Sequence, residues 1–183
     1  VTESGGVLWL TGLSGAGKST VADLCVAALR RAGEALLLLD GNEVREAVDD
    51  PAAGFCREGR LKAAARMSRL ARLAARQGLI AVVPTISLFH EIQTWNRANL
   101  PSYVEVYLRV PLSEVEARDP RGLYAARRAG DSSPLWGIDI PIEEPREPDL
   151  LCDPERSARD TADLALALLW GKLGRGSPAP TAS

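Results

Sequence analysis

A chain of 183 residues, 46% hydrophobic and only 5% aromatic, has the size of one α/β domain that buries about two-thirds or more of its unfolded surface. A net charge of −2 and a pI near 5.6 supply no global basic field, which argues against nucleic acid or an anionic membrane as a partner; any polyanion site must be local. Three distant cysteines (Cys25, Cys56, Cys152), a single histidine, no apolar run of bilayer length and no charged leader at residues 1–10 make a cytoplasmic enzyme with reduced thiols the expectation.

The first predicted element is the strand "VLWLT" (7–11), followed by "GLSGAGKST" (12–20) and a helix over 18–32 that Gly33 stops. The glycine loop fits GxxxxGK(S/T). Gly12, Gly15 and Gly17 permit a turn whose N–H groups converge on β- and γ-phosphates, and the helix presents its positive N-terminus to the same anion. Lys18 supplies a point charge and Ser19 a hydroxyl for Mg²⁺. ATP or GTP binding follows; hydrolysis, switching and phosphoryl transfer all stay open at this point.

"ALLLLD" (35–40) reads as the second strand, with Asp40 at the C-terminal edge of the sheet, where open α/β folds bind ligands. A helix over 43–49 brings Arg45 to the same crevice. Asp40 suits a general base or an acceptor ligand, and equally an N-cap; the roles are compatible. A longer helix, 60–77, stops at Gly78 and places Lys62, Arg66, Arg69, Arg72 and Arg76 opposite Ala64, Met67, Ala71 and Ala74. Arg69, Arg72 and Arg76 read as a solvated face, whereas Arg57, Arg60 and Arg66, near the helix start and after Phe55, suit an anionic substrate.

Strands over 79–87 and 103–110 and helices over 88–98, 112–119 and 154–173 complete the alternation of a doubly wound parallel sheet. His90 starts the 88–98 helix and reads as structural or solvated. Residues 120–150 carry five prolines and three glycines, admit one short helix at most, and read as a lid or substrate loop. The tail "GRGSPAPTAS" reads as disordered beyond a single domain. A basic cluster within residues 120–150 and no NKxD-like guanine-reading tetrapeptide favour a kinase over a switch.

Taken together, "GLSGAGKST", "LDGNEVR", "GF", "RDPRGLY", "GIDIPIEEP" and "PDL" resemble, in order and over nearly the whole chain, the adenylylsulfate kinases. The resemblance implies a P-loop nucleotide-kinase fold and a homodimer. It also implies use of MgATP to phosphorylate the ribose 3′-hydroxyl of adenylylsulfate. By position, it puts Gly12, Ser14, Gly15, Ala16, Gly17, Lys18, Ser19 and Thr20 on the ATP phosphates, with Lys18 and Asp40 in catalysis and Ser19 on the metal. Arg118, Arg121 and Arg128 belong to the closing lid, Arg118 on the ATP side. On the acceptor side it implies Asp40, Asn42, Arg45, Phe55, Arg60, Arg66, Ser87, Arg121, Trp136, Ile138 and Asp139, with Phe55 stacking on the base.

Departures from the family pattern fall on that acceptor side. The family's DGD reads Asp40-Gly41-Asn42, which leaves Asp40 as the candidate base. Its DRxxNIRR reads "GRLKAAAR", keeping Arg60 and Arg66 but placing alanine at 63 and 65. "ISPF" reads "ISLF" (86–89), and "FTG" reads "LWG" (135–137), with Trp136 standing in for the aromatic one position later. These changes leave two alternatives beside adenylylsulfate: a related acceptor such as cytidine diphosphoramidate, and a non-catalytic nucleotide-binding regulator.

Overall fold

In a computed structural model, which describes residues 5–48 and 56–176, short apolar runs become strands because only a sheet covered on both faces can bury them. The strands are Val7–Thr11 (β1), Leu36–Leu38 (β2), Ile80–Thr85 (β3), Tyr103–Leu108 (β4) and Leu150–Cys152 (β5). All five are parallel, in the order β2-β3-β1-β4-β5. β1 is buried at every position, and Thr11 lies level with Thr85 and Tyr107, so three strands end along one edge. Seven helices are seen among the described residues: Lys18–Arg31 (α1), Gly41–Ala47 (α2), Arg57–Arg76 (α3), His90–Asn99 (α4), Leu112–Arg118 (α5), Leu123–Arg128 (α6) and Ala158–Lys172 (α7). α1 packs against α7, and α3 against α4, as layers around the sheet.

Helix ends follow local capping. Asp40 accepts from the Asn42 amide (2.8 Å) and starts α2 two residues before the predicted position. Ser157 accepts from the Asp160 amide (3.0 Å), so α7 begins at Ala158 instead of 154. Gly33 and Gly78 adopt positive φ after α1 and α3, as expected of helix stops. Ala64, Met67, Ala71 and Ala74 form the buried face of α3. Arg175, inside the expected tail, pairs with Glu34 at 2.6 Å.

Two differences from the sequence reading matter. β3 ends at Thr85, not 87, because Ser87 takes a left-handed φ of 22° and Thr11 Oγ1 donates to the Ile86 carbonyl (2.6 Å). β5 is an additional strand; its three residues, bounded by Pro148-Asp149 and Asp153-Pro154, carry too little apolar run to be legible and are recruited by β4.

Asp149 anchors that recruitment. Its carboxylate accepts from the Glu105 amide (2.8 Å), from Arg97 (3.5 Å) and from Lys172, while Arg97 also pairs with the buried Glu105 at 2.9 Å. Desolvation raises its pKa, but Lys172, the Glu105 amide and Arg97 outweigh that and hold the carboxyl below its ordinary value. The contribution is therefore present above the unfolded pKa of about 4 and lost as pH falls through the folded value. Asp149→Asn is expected to cost about 2 kcal/mol at pH 7, a fall in Tm of roughly 4–8 °C. Thermal unfolding curves of variant and wild type should converge as pH falls through the lowered folded-state pKa of Asp149.

Candidate active site

At the C-terminal edge, β1 runs into the glycine loop and α1 begins at Lys18. Gly15 and Gly17 both hold positive φ (83° and 94°), and a Cβ on Gly12 would stand 2.6 Å from the Leu108 carbonyl oxygen, so the loop needs glycine there. Lys18 Nζ donates to the Gly12 (2.8 Å) and Leu13 (2.7 Å) carbonyls. Burial, and secondly Arg121, push its pKa down to about 7 against the pull of Asp40. An ammonium so poorly solvated is the partner a phosphate would relieve.

A cavity of about 650 Å³ extends from this loop across the sheet edge. Ser14, Gly15, Gly17, Lys18, Ser19 and Thr20 form its loop end. Asp40, Asn42 and Arg45 come from the start of α2, and Arg60 and Arg66 from α3. Ser87, Arg118, Arg121 and Trp136 complete the sequence-predicted wall. Among the described residues six cations thus face one carboxylate, Asp40, an arrangement that focuses positive potential on a polyanion. Asp40 is the cap of α2 through Oδ1, as one of its compatible roles required.

The far wall is aromatic. Trp136, 5% exposed, packs on Phe89 with centroids 4.7 Å apart, and the Arg60 guanidinium lies 5.7 Å over the Trp136 ring. Arg60 also donates to the Pro134 carbonyl (2.6 Å). Burial, then the nearby Arg45, lower its pKa. Ser87, 4% exposed and strained at positive φ, has a hydroxyl with no hydrogen-bond partner among the described residues.

Not every expected residue reaches the cavity. Asp139 is engaged by Arg127 (2.7 Å) and the Leu135 amide (3.0 Å), which orders the lid internally, and Ile138 is 46% exposed; neither lines the cavity wall. Arg57 pairs with Glu143 at 2.8 Å instead of facing the cavity, and Arg128, at the end of α6, also stays off the wall. Gly12 and Ala16 shape the loop from behind: Gly12 through its carbonyl, Ala16 through its amide to the Leu13 carbonyl. Phe55 lies outside the described residues. The wall also includes Val44, Met67, Pro84, Thr85 and Ile86, which carried no chemical signal in the sequence, and Ala63, one of the two alanines in the family's DRxxNIRR stretch. His90 is structural, its ring reaching the Glu144 carbonyl at 2.9 Å.

The profile of a family described as adenylylsulphate kinase matches residues 4–153. The chain belongs to the adenylylsulfate kinase family. An adenylyl-sulfate kinase from Rippkaea orientalis is 38% identical over 171 residues, covering 93% of this chain and 92% of that protein. A cytidine diphosphoramidate kinase from Campylobacter jejuni is 34% identical over 167 residues, covering 91% and 95%. Among solved structures, the Mycobacterium tuberculosis APS kinase in complex with AMPPNP and APS superposes with a TM-score of 0.83 at 37% identity, over 91% of this chain and 98% of that one.

As an adenylylsulfate kinase family member the chain is a phosphotransferase, which sets aside the non-catalytic regulator. Among the described residues no helix is long and apolar enough to cross a membrane, no group of histidine, cysteine and carboxylate side chains could hold a metal by itself, and the three cysteines are free. Lys18→Ala should lower turnover by about two to three orders of magnitude, since it removes a preorganised cation from the developing phosphoryl charge. Tm should stay within a few degrees, because a desolvated ammonium contributes little to stability; steady-state kinetics and calorimetry check both.

Proposed function

We propose that the chain transfers the γ-phosphoryl group of MgATP to the ribose 3′-hydroxyl of adenylylsulfate, giving ADP and 3′-phosphoadenylylsulfate. The observation that carries this reading is one continuous cavity with a phosphate loop at one end and an arginine-lined, aromatic-backed compartment at the other, joined at Lys18, Asp40 and Arg121. Two anionic substrates that must meet in line need such an enclosure.

In this reading the loop amides and Lys18 hold the β- and γ-phosphates, and Arg118 holds the donor from the lid side. Arg121 neutralises charge on the group in flight. Ser19, a hard oxygen donor on the cavity wall, would hold Mg²⁺, which would supply neutralisation of the phosphate charge. Asp40 orients the acceptor hydroxyl and takes its proton as the new P–O bond forms. Asn42, Arg45, Arg60 and Arg66 meet the acceptor's anionic end, and Ser87 offers its unpartnered hydroxyl. Free thiols and dependence on ATP fit a cytoplasmic setting. A homodimer is what the family resemblance implies for the chain's assembly.

A second reading keeps the chemistry and changes the acceptor. Asn42, Ala63 and Ala65 remove a carboxylate and two polar groups from the family pattern, and charge-assisted bonds are worth on the order of 1.5–3 kcal/mol each. The Campylobacter jejuni relative shows that this family includes an enzyme named for a cytidine nucleotide.

Adenylylsulfate, cytidine diphosphoramidate, CDP and AMP, each offered with MgATP and read by mass for 3′-phosphorylated product, decide between the readings. Adenylylsulfate is expected to lead with kcat/KM of about 10⁴ M⁻¹s⁻¹ or more; a cytidine nucleotide in first place selects the second reading. Asp40→Asn preserves the α2 cap, because asparagine caps as well as aspartate, and should lower kcat by about a hundredfold with little change in KM for ATP.

A further inference from the structure

Two arginines in the first turn of α3, three residues apart and so on one side of the helix, grip the two ends of one loop segment. Arg60 takes the Pro134 carbonyl at 2.6 Å. Arg57 takes Glu143 Oε1 at 2.8 Å, and its guanidinium lies 5.1 Å over the Phe89 ring. The segment between these grips turns at Gly137, closes a bridge between Trp136 and Ile140, and carries Trp136 into the cavity against Phe89.

Glu143 does more than pair with Arg57. Phe89, the N-cap residue of α4, has no side chain able to cap, and Glu143 Oε2 accepts from the His90 amide at 2.7 Å in its place. The Glu143 amide donates to the Leu88 carbonyl (3.1 Å), and its carbonyl accepts from Gln93 Nε2 (2.9 Å). The His90 ring adds a contact at 3.8 Å. Desolvation raises the Glu143 pKa, yet the His90 amide and Arg57 hold it below its ordinary value, so the carboxylate is ionised throughout the working range. Neither Arg57 nor Glu143 lines the cavity, although Ser87 and Trp136, on the chain either side of this junction, both do.

We propose that Arg57 and Glu143 are positioning residues for the acceptor half of the site: their junction seats Trp136 and the Ser87–Phe89 turn at the spacing the acceptor requires. The inference rests on the reading that this half of the cavity takes the acceptor. It separates the two substrates physically, because the junction joins α3, the start of α4 and the lid's return segment, and touches none of the loop that holds ATP phosphates. An exposed ion pair alone contributes modestly, so Arg57 should matter less than Glu143, which also caps α4.

The test is steady-state kinetics on the acceptor that the nucleotide panel selects. Arg57→Ala and Glu143→Gln, which each remove the ion pair while leaving an acceptor for the His90 amide, should raise acceptor KM about three- to fivefold. Glu143→Ala should raise it about tenfold, and the Arg57→Ala, Glu143→Ala double variant no further. Arg57→Lys should restore most of the loss. In all of them kcat and KM for MgATP should stay within twofold. A parallel rise in both KM values, a fall in kcat at constant acceptor KM, multiplying effects in the double variant, or no change would overturn the proposal. Amide hydrogen exchange of peptides spanning 134–144 supplies an arm independent of turnover: exchange should quicken in Arg57→Ala and Glu143→Gln, and unchanged exchange overturns the proposal. Wild-type protein that phosphorylates no nucleotide would defeat the acceptor reading alone, and the exchange arm would still decide the junction.

Discussion

Everything at this site depends on how closely the end of β1 passes β4. At Gly12 the backbone lies so near the Leu108 carbonyl that no side chain fits, and this contact lets the chain leave the middle of the sheet and wrap around Lys18 within a few residues. A fully buried central strand holds the first half of the loop, and a helix pinned between sheet and α7 holds the second. The amides are thereby fixed in place, and the cost of ordering them is met by the core, not by a ligand.

The same compactness creates an electrostatic imbalance. Lysine and arginine side chains from the loop, α2, α3 and residues 118–121 converge on a space where the described residues place one carboxylate, and Lys18 turns to backbone carbonyls for solvation. Arg60 spreads its charge over the face of Trp136 and onto a loop carbonyl. Lys18 and Arg60 each hold partners within the folded protein, and desolvation at both makes them receptive to an anion that enters the cavity.

Sequence patterns made the sheet and the glycine loop legible because each rests on local rules: apolar runs between helical stretches, glycines at fixed spacing, a lysine at a helix start. Asp40, Arg60, Arg66 and Trp136 were recognisable from type and order, and they line one cavity. Arg57, Ile138 and Asp139 have the right chemistry and the wrong destination, since a side chain's partner is set by tertiary geometry: Glu143 lies far along the chain from Arg57, and Asp139 is taken by Arg127. β5 escaped notice for a related reason, as three residues have no periodicity and their strand character comes from β4. The apolar wall around Met67 and Pro84 carries no chemical label at all.

The neighbouring strands β4 and β5 are separated in sequence by the whole of residues 109–149, including α5, α6 and the lid. Among the described residues β5 pairs with β4 alone, at the end of the strand order, whereas β1 pairs with β3 and β4, so the strand that feeds the glycine loop does not depend on β5 for its ladder. Undocking β5 breaks a three-residue edge ladder and leaves both ladders of β1 intact. Such an opening would release the lid's root while leaving the glycine loop folded, which gives the two halves of the site different lifetimes within one domain.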